Sequence, residues 1–226
     1  VFSATVYLDP VNGNDDNGGV LESEPVKSFE RARALANGGI VYLMKTLTVT
    51  EDSVFDLDGG ILRRYISTDG TITNTAVLIS CNTAGVTLEF SNITVEGIGT
   101  DAKIAGRLIY AGKADVILGS NTLIGNSFSQ NIGVGVRCNN LTMNANSMIR
   151  HCYVNSTTDG GAGAHISGIL KMSDFAAICF NTNINTYGTS IAGRYAVGGA
   201  YVKTLEMSGN SSIYGNFSQT KGSSDA

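Results

Sequence analysis

Apolar residues return along this chain as a refrain. Leu-x-Met stands at Leu141 and Met143, at Leu170 and Met172, and at Leu205 and Met207; an isoleucine follows each methionine by six residues, at Ile149, Ile178 and Ile213. A weaker copy puts Val116, Leu118 and Ile124 in the same places, and another, around Leu88 and Phe90, aligns after one deletion. The repeat distance grows, from 25 residues between Leu118 and Met143 to 29 between Met143 and Met172 and 35 between Met172 and Met207. Ahead of each Leu-x-Met or its weaker copy lies another short run: RLIYA (107–111), VGVRC (134–138), AHISG (164–168) and AYVKT (200–204). Period-two alternation sends every second side chain inward. Units that keep their apolar offsets while the residues between them change predict a solenoid.

Each unit holds three strand-like pieces separated by Gly and Asn bends. The predicted fold is all-β: a parallel β-helix with three strands per coil, successive coils ~4.8 Å apart. The Met and Ile positions then form interior columns, which stay dry only if every coil supplies an apolar residue. An antiparallel β-sandwich would also use many short strands, but it has no reason to keep these offsets from unit to unit.

Residues 1–40 stand outside the refrain. ATVYLDP (4–10) reads as a strand, and residues 24–39 read as a short helix with Phe29, Ala32, Leu35 and Ala36 on one face and Asn37-Gly38-Gly39 as its stop. A solenoid's open end needs a cover, and this helix is the expected lid. The expected division is a capping region over 1–40 and a single run of coils over 41–226. The other end shows no lid, so further chain or a partner is expected beyond Ala226. The chain starts with Val and shows no signal peptide, as expected of a piece of a longer protein.

Of the 226 residues, 42% are apolar, enough for a long core, while only 15% are charged, with a net charge of -4. A nucleic-acid surface needs clustered Lys and Arg and is not expected. The 28 Gly and 2 Pro suit many tight turns. No apolar run approaches the ~18 residues of a membrane span. Cys81, Cys138, Cys152 and Cys179 match no metal or redox spacing and read as buried free thiols.

The opening VYLDPVNGNDDNGG, followed by VKSFERARALANGGIVYL, resembles that of many bacterial right-handed parallel β-helix proteins of the pectate-lyase-like superfamily. LEMSGNSSIYGN (205–216) resembles the coil repeat of large secreted or wall-anchored surface proteins of Gram-positive gut bacteria. The resemblance implies a right-handed coil and an extracellular, secreted or cell-wall-attached address. Its motifs are architectural and do not by themselves imply catalysis.

Pectate lyases of that superfamily carry an Asp-rich calcium cluster and a nearby basic residue, and this chain lacks such a cluster. From residue 100 on, the acids are sparse: Asp101, Asp115, Asp159, Asp174, Asp225 and Glu206. A facing carboxylate pair for glycoside hydrolysis is not evident. The most acidic segment is the loop 9–19, where Asp9, Asn12, Asn14, Asp15 and Asp16 offer hard oxygen ligands suited to calcium. It fits no EF-hand register, and the competing reading is a loop of Asx turns. No other cofactor is expected. His151 and Cys152 are neighbours on a strand and should point to opposite faces, against a nucleophilic pair.

Two surfaces are candidate ligand sites. Tyr110, Arg137, His165, Tyr201 and Lys203 should project from the outward face of one strand column, aromatic and cationic groups suited to sugar or peptide contacts. The linking segment between units also lengthens along the chain, and its longest copy (181–199) carries Tyr187, Arg194 and Tyr195. The expected function is a non-catalytic extracellular module for adhesion or ligand display, with a glycan or host surface protein as partner beside further domains of the same chain. The alternatives are a polysaccharide lyase or glycoside hydrolase with a dispersed site, and a structural stalk.

Overall fold

The computed structural model describes residues 3–67, 76–98, 106–130, 133–156, 160–185 and 196–220. Among them eighteen strands join into one sheet in which neighbours run parallel, so the fold is all-β and parallel. The chain stacks on itself in ladders, each strand pairing with the strand one repeat earlier and one repeat later.

The first ladder begins with Thr5–Leu8 and Ile40–Leu43 and runs to Ser212–Tyr214. Its inward row is Val6, Val41, Leu62, Val95, Ile124, Ile149, Ile178 and Ile213, each in register with the next. The second ladder begins at Leu47–Val49 and passes through Ile79–Cys81, Ile109–Ala111 and Val136–Cys138 to the starts of Ala164–Met172 and Ala200–Met207. The third carries Phe55, Phe90, Leu118, Met143, Met172 and Met207 in a single row. The three methionines are thus piled rung on rung. Met143 and Met172 are 0% and 2% exposed, whereas Met207, in the last described rung, is 43% exposed. Each large apolar side chain enclosed this way contributes about 1.5–3 kcal/mol.

The bends between ladders repeat as faithfully as the strands. Asn126, His151, Phe180 and Gly215 follow equivalent strand positions, and all four hold positive φ, between 53° and 62°. Only glycine adopts that conformation freely. The next residues hold the bend together through side-chain amides. Asn181 Oδ1 accepts from the Cys152 N–H (3.0 Å), and Asn216 Oδ1 accepts from the Asn181 N–H (3.0 Å). Asn181 Nδ2 and Asn216 Nδ2 in turn donate to the Ile149 and Ile178 carbonyls. After this bend comes a fourth short ladder, pairing residues 127–129, 152–156, Thr182–Asn185 and Phe217–Thr220. The sequence predicted three strand pieces in each repeat, and this fourth ladder departs from that expectation. In the lengthening segments, Gly160–Gly161 pairs with Ala196–Val197 as a separate two-stranded sheet.

The helix forms over Phe29–Ala36. Ser28 Oγ caps its start by accepting from the Arg31 N–H (3.2 Å), and Asn37 ends it in the left-handed conformation. Phe29, Ala32 and Ala36 are buried and Leu35 packs beside them. Phe29 meets Phe55 edge-on (5.1 Å between ring centroids), and Phe55 stacks on Phe90 (4.9 Å), so the helix continues the apolar row of the third ladder. Gly39 passes so close to the first strand that a Cβ there would lie 2.0 Å from the Ala4 carbonyl oxygen. One inward row holds a charge: Arg64 follows Leu8 and Leu43 in register and is fully buried. Its guanidinium donates to the Ala76 and Arg107 carbonyls, and burial pushes its pKa down to about 10.

Candidate functional site

The second ladder's outward row places Thr48, Ser80, Tyr110, Arg137, His165 and Tyr201 in register, one per rung. Its strands form there because Ile79/Cys81, Ile109/Ala111, Val136/Cys138 and Ala164/Ile166 bury the alternate positions. Of the residues expected to share this face, Tyr110, Arg137, His165 and Tyr201 form one continuous file. Lys203 does not join it. It is exposed beyond Val202, where pairing shifts between Ile166 and Ile169 and the strand turns toward the third ladder.

Side chains within the file touch. The Arg137 guanidinium lies 5.5 Å from the Tyr110 ring centroid, and Arg107, from the preceding bend, lies 5.0 Å from the same ring. His165 and Tyr201 stack with centroids 4.9 Å apart and planes 6° apart. A tyrosine ring gains about 0.5–1 kcal/mol from each such guanidinium contact when exposed. Burial, followed by the charge of Arg137, holds the Arg107 pKa below its ordinary value. Burial first, then Arg137 and Arg107, pushes the His165 pKa down to about 4. The imidazole is therefore neutral at pH 7, and its buried Nδ1 makes no hydrogen bond. Positive charge gathers here on a chain whose net charge is negative.

Gly133 closes one side of the file. Its φ is +66°, and a Cβ there would fall 2.9 Å from Arg137 Cβ and 3.1 Å from His165 Cβ. Arg107 was not found by sequence reasoning. Leu108 and Ile109 behind it are both buried, so alternation breaks before reaching position 107. Tyr187, Arg194 and Tyr195 lie outside the described residues.

Three side chains of the acidic loop, Asp9, Asn14 and Asp15, turn their oxygens on backbone N–H groups. Asp9, 5% exposed, accepts from the Val11 and Asn12 N–H groups at 2.9 and 3.0 Å and from Asn12 Nδ2. Asn14 accepts from the Asp16 N–H. Asp15 accepts from the Lys27 and Ser28 N–H groups, both at 2.8 Å, just ahead of the helix, and these bonds hold its carboxyl below the ordinary range. Among the described residues no group of three or more His, Cys, Asp or Glu side chains is arranged to hold a metal ion. Asp9 and Asn14 thus close Asx-type turns within the loop, and Asp15 tethers the chain just ahead of the helix.

Other polar groups are spent between rungs. Asp115 accepts from Asn139 and Asn140, Asp174 from the Ala145 N–H, and Glu206 pairs with Lys171. His151 is exposed and stacks on Phe180, while Cys152 is buried and burial drives its thiol pKa up. The four cysteines are free and buried.

Among the described residues, no helix is long and apolar enough to cross a membrane. No protein-family profile, curated protein or solved structure matches the chain.

Proposed function

We propose that this chain is a right-handed parallel β-helix module of the pectate-lyase-like type, displayed outside a bacterial cell. It binds an acidic glycan, free or carried on a host surface protein, without altering it. In-register rows of apolar side chains support the coil, and the resemblance of the opening and of the repeat supports the family and the address. The observation that carries the binding reading is the file of Tyr110, Arg137, His165 and Tyr201 with Arg107 beside it. Flat rings offer apolar surface to a sugar, and guanidiniums offer paired donors to carboxylate or sulfate. Carboxylates engaged as rung-to-rung acceptors, such as Asp115 and Asp174, support a structural role for the acids over acid–base work.

The test is a glycan array carrying oligogalacturonate, heparin fragments and sialylated glycans, followed by titration at rising salt. Binding to an acidic member that weakens with salt and is lost in Arg137→Ala and Tyr110→Ala is the expected result. Binding unchanged in both variants refutes the site. Unsaturated products released from polygalacturonate with calcium present would make the chain a lyase instead, and a blank array would favour the stalk.

A further inference from the structure

A second surface lies on the first ladder near the helix. Its outward row is Tyr7, Tyr42, Arg63 and Glu96, each in register with the next. The rings of Tyr7 and Tyr42 stack with centroids 5.7 Å apart and planes 20° apart. Tyr65, buried at 3% exposure, meets both edge-on at 5.9 and 6.4 Å and braces the pair from behind. Arg63 Nε donates to Glu96 Oε1 at 2.6 Å. Glu96 holds Arg63 from outside a cleft that Tyr7, Tyr42, Arg63 and Tyr65, with Glu22, Ile66 and Ile98, line; its volume is about 360 Å³. That is within the size range of small-ligand sites, which are largely apolar with a few fixed polar groups.

The cleft's polarity selects its ligand. Glu96, outside the lining, neutralises Arg63, which leaves Glu22 as the lining's uncompensated charge. Glu22 lies near enough to Tyr7 to help raise its phenol pKa, second to burial. An anion is disfavoured here, in contrast to the cationic file of the second ladder. Carboxylates only accept hydrogen bonds, so the ligand must donate. A proline-rich peptide, the other common guest of aromatic-lined grooves, brings carbonyl acceptors and few donors. A neutral sugar ring brings an apolar C–H face for the tyrosines and vicinal hydroxyls that both donate to carboxylates and accept from a guanidinium.

We propose that the Tyr7–Tyr42–Arg63 cleft binds a neutral pyranose unit, at a site separate from the cationic file. The test is isothermal titration of the full chain with cellotetraose, maltotetraose and mannotetraose, with a proline-rich decapeptide alongside. At least one of the saccharides saturates, and Tyr42→Ala weakens it about threefold to tenfold, the range of one aromatic contact. Glu22→Gln weakens it as well, and Arg137→Ala leaves it unchanged. If Tyr42→Ala does not fold, Glu22→Gln carries the test. The proposal is overturned if none of the saccharides saturates, if saturation survives Glu22→Gln unaltered, or if the peptide binds in their place. Arg137→Ala keeps the outcome distinguishable from that of the acidic-glycan reading.

Discussion

Replacing Ile149 and, separately, Ile213 with alanine perturbs the same row at two depths. Ile149 is 0% exposed and sits in register between Ile124 and Ile178; Ile213, in the last described rung, has Ile178 on one side and is 37% exposed. A fully enclosed Ile→Ala change removes transfer energy and leaves a cavity, together about 2–5 kcal/mol, and enclosure on both sides puts Ile149→Ala at about 3–4 kcal/mol. With over a third of Ile213 already in water and less cavity to leave, Ile213→Ala should cost about 1–2 kcal/mol. Urea unfolding followed by far-ultraviolet circular dichroism reads both. Because stacked units open from an end more readily than from the middle, native-state hydrogen exchange at the amides of residues 148–154 and 212–214 is read beside it. Equal losses for the two variants, or a larger loss for Ile213→Ala, would refute the reasoning that burial in this row depends on a rung above and a rung below.

Three further outcomes are expected. His165 is neutral in the folded state, its pKa lowered to about 4 from an ordinary 6.5, so the unfolded chain binds the extra proton first. Stability should therefore fall as pH drops from about 6.5 toward 4, and His165→Gln should flatten that part of a urea-midpoint profile. Asn181→Ala strands the buried Cys152 N–H and should cost about 1–3 kcal/mol in the same assay. Ala145 holds φ of +51°, where the equivalent position of the last rung is Gly209. Ala145→Gly should gain about 0.5–1 kcal/mol, relief of left-handed strain outweighing glycine's entropy, read as a raised thermal midpoint.

The apolar rows were legible in the sequence because identical offsets recur: Leu-x-Met and the following Ile align by inspection, and the structure pairs them residue for residue. The file of Tyr110, Arg137, His165 and Tyr201 was legible because each alternates with small or apolar residues inside a short strand-like run. The fourth ladder was not. Buried polar residues stand at its entry, Asn181, and along it, Ser127 and Asn183, and break the apolar signal; each donates from its side chain to a backbone carbonyl. An earlier unit was hidden too. Phe55 and Leu62 occupy the Met and Ile rows, but an insertion between Asp56 and Gly60 shifts their spacing. Buried Arg64 defies any apolar pattern. The tyrosine cleft depends on Tyr7 and Tyr42 coming together across the whole helical segment, where no repeat exists to align.

The most direct test of stacked rungs is a set of distances along one outward row. Val54, Glu89, Lys171 and Glu206 are exposed and belong to the third ladder's outward file, with Ile117 and Thr142 between them. At ~4.8 Å per rung, spin labels should report backbone separations of about 24 Å for Val54 to Glu206 and about 19 Å for Glu89 to Glu206. The account predicts that difference of one rung by double electron–electron resonance. Separations that do not grow with rung number, as in a two-layer slab of antiparallel strands, would contradict it.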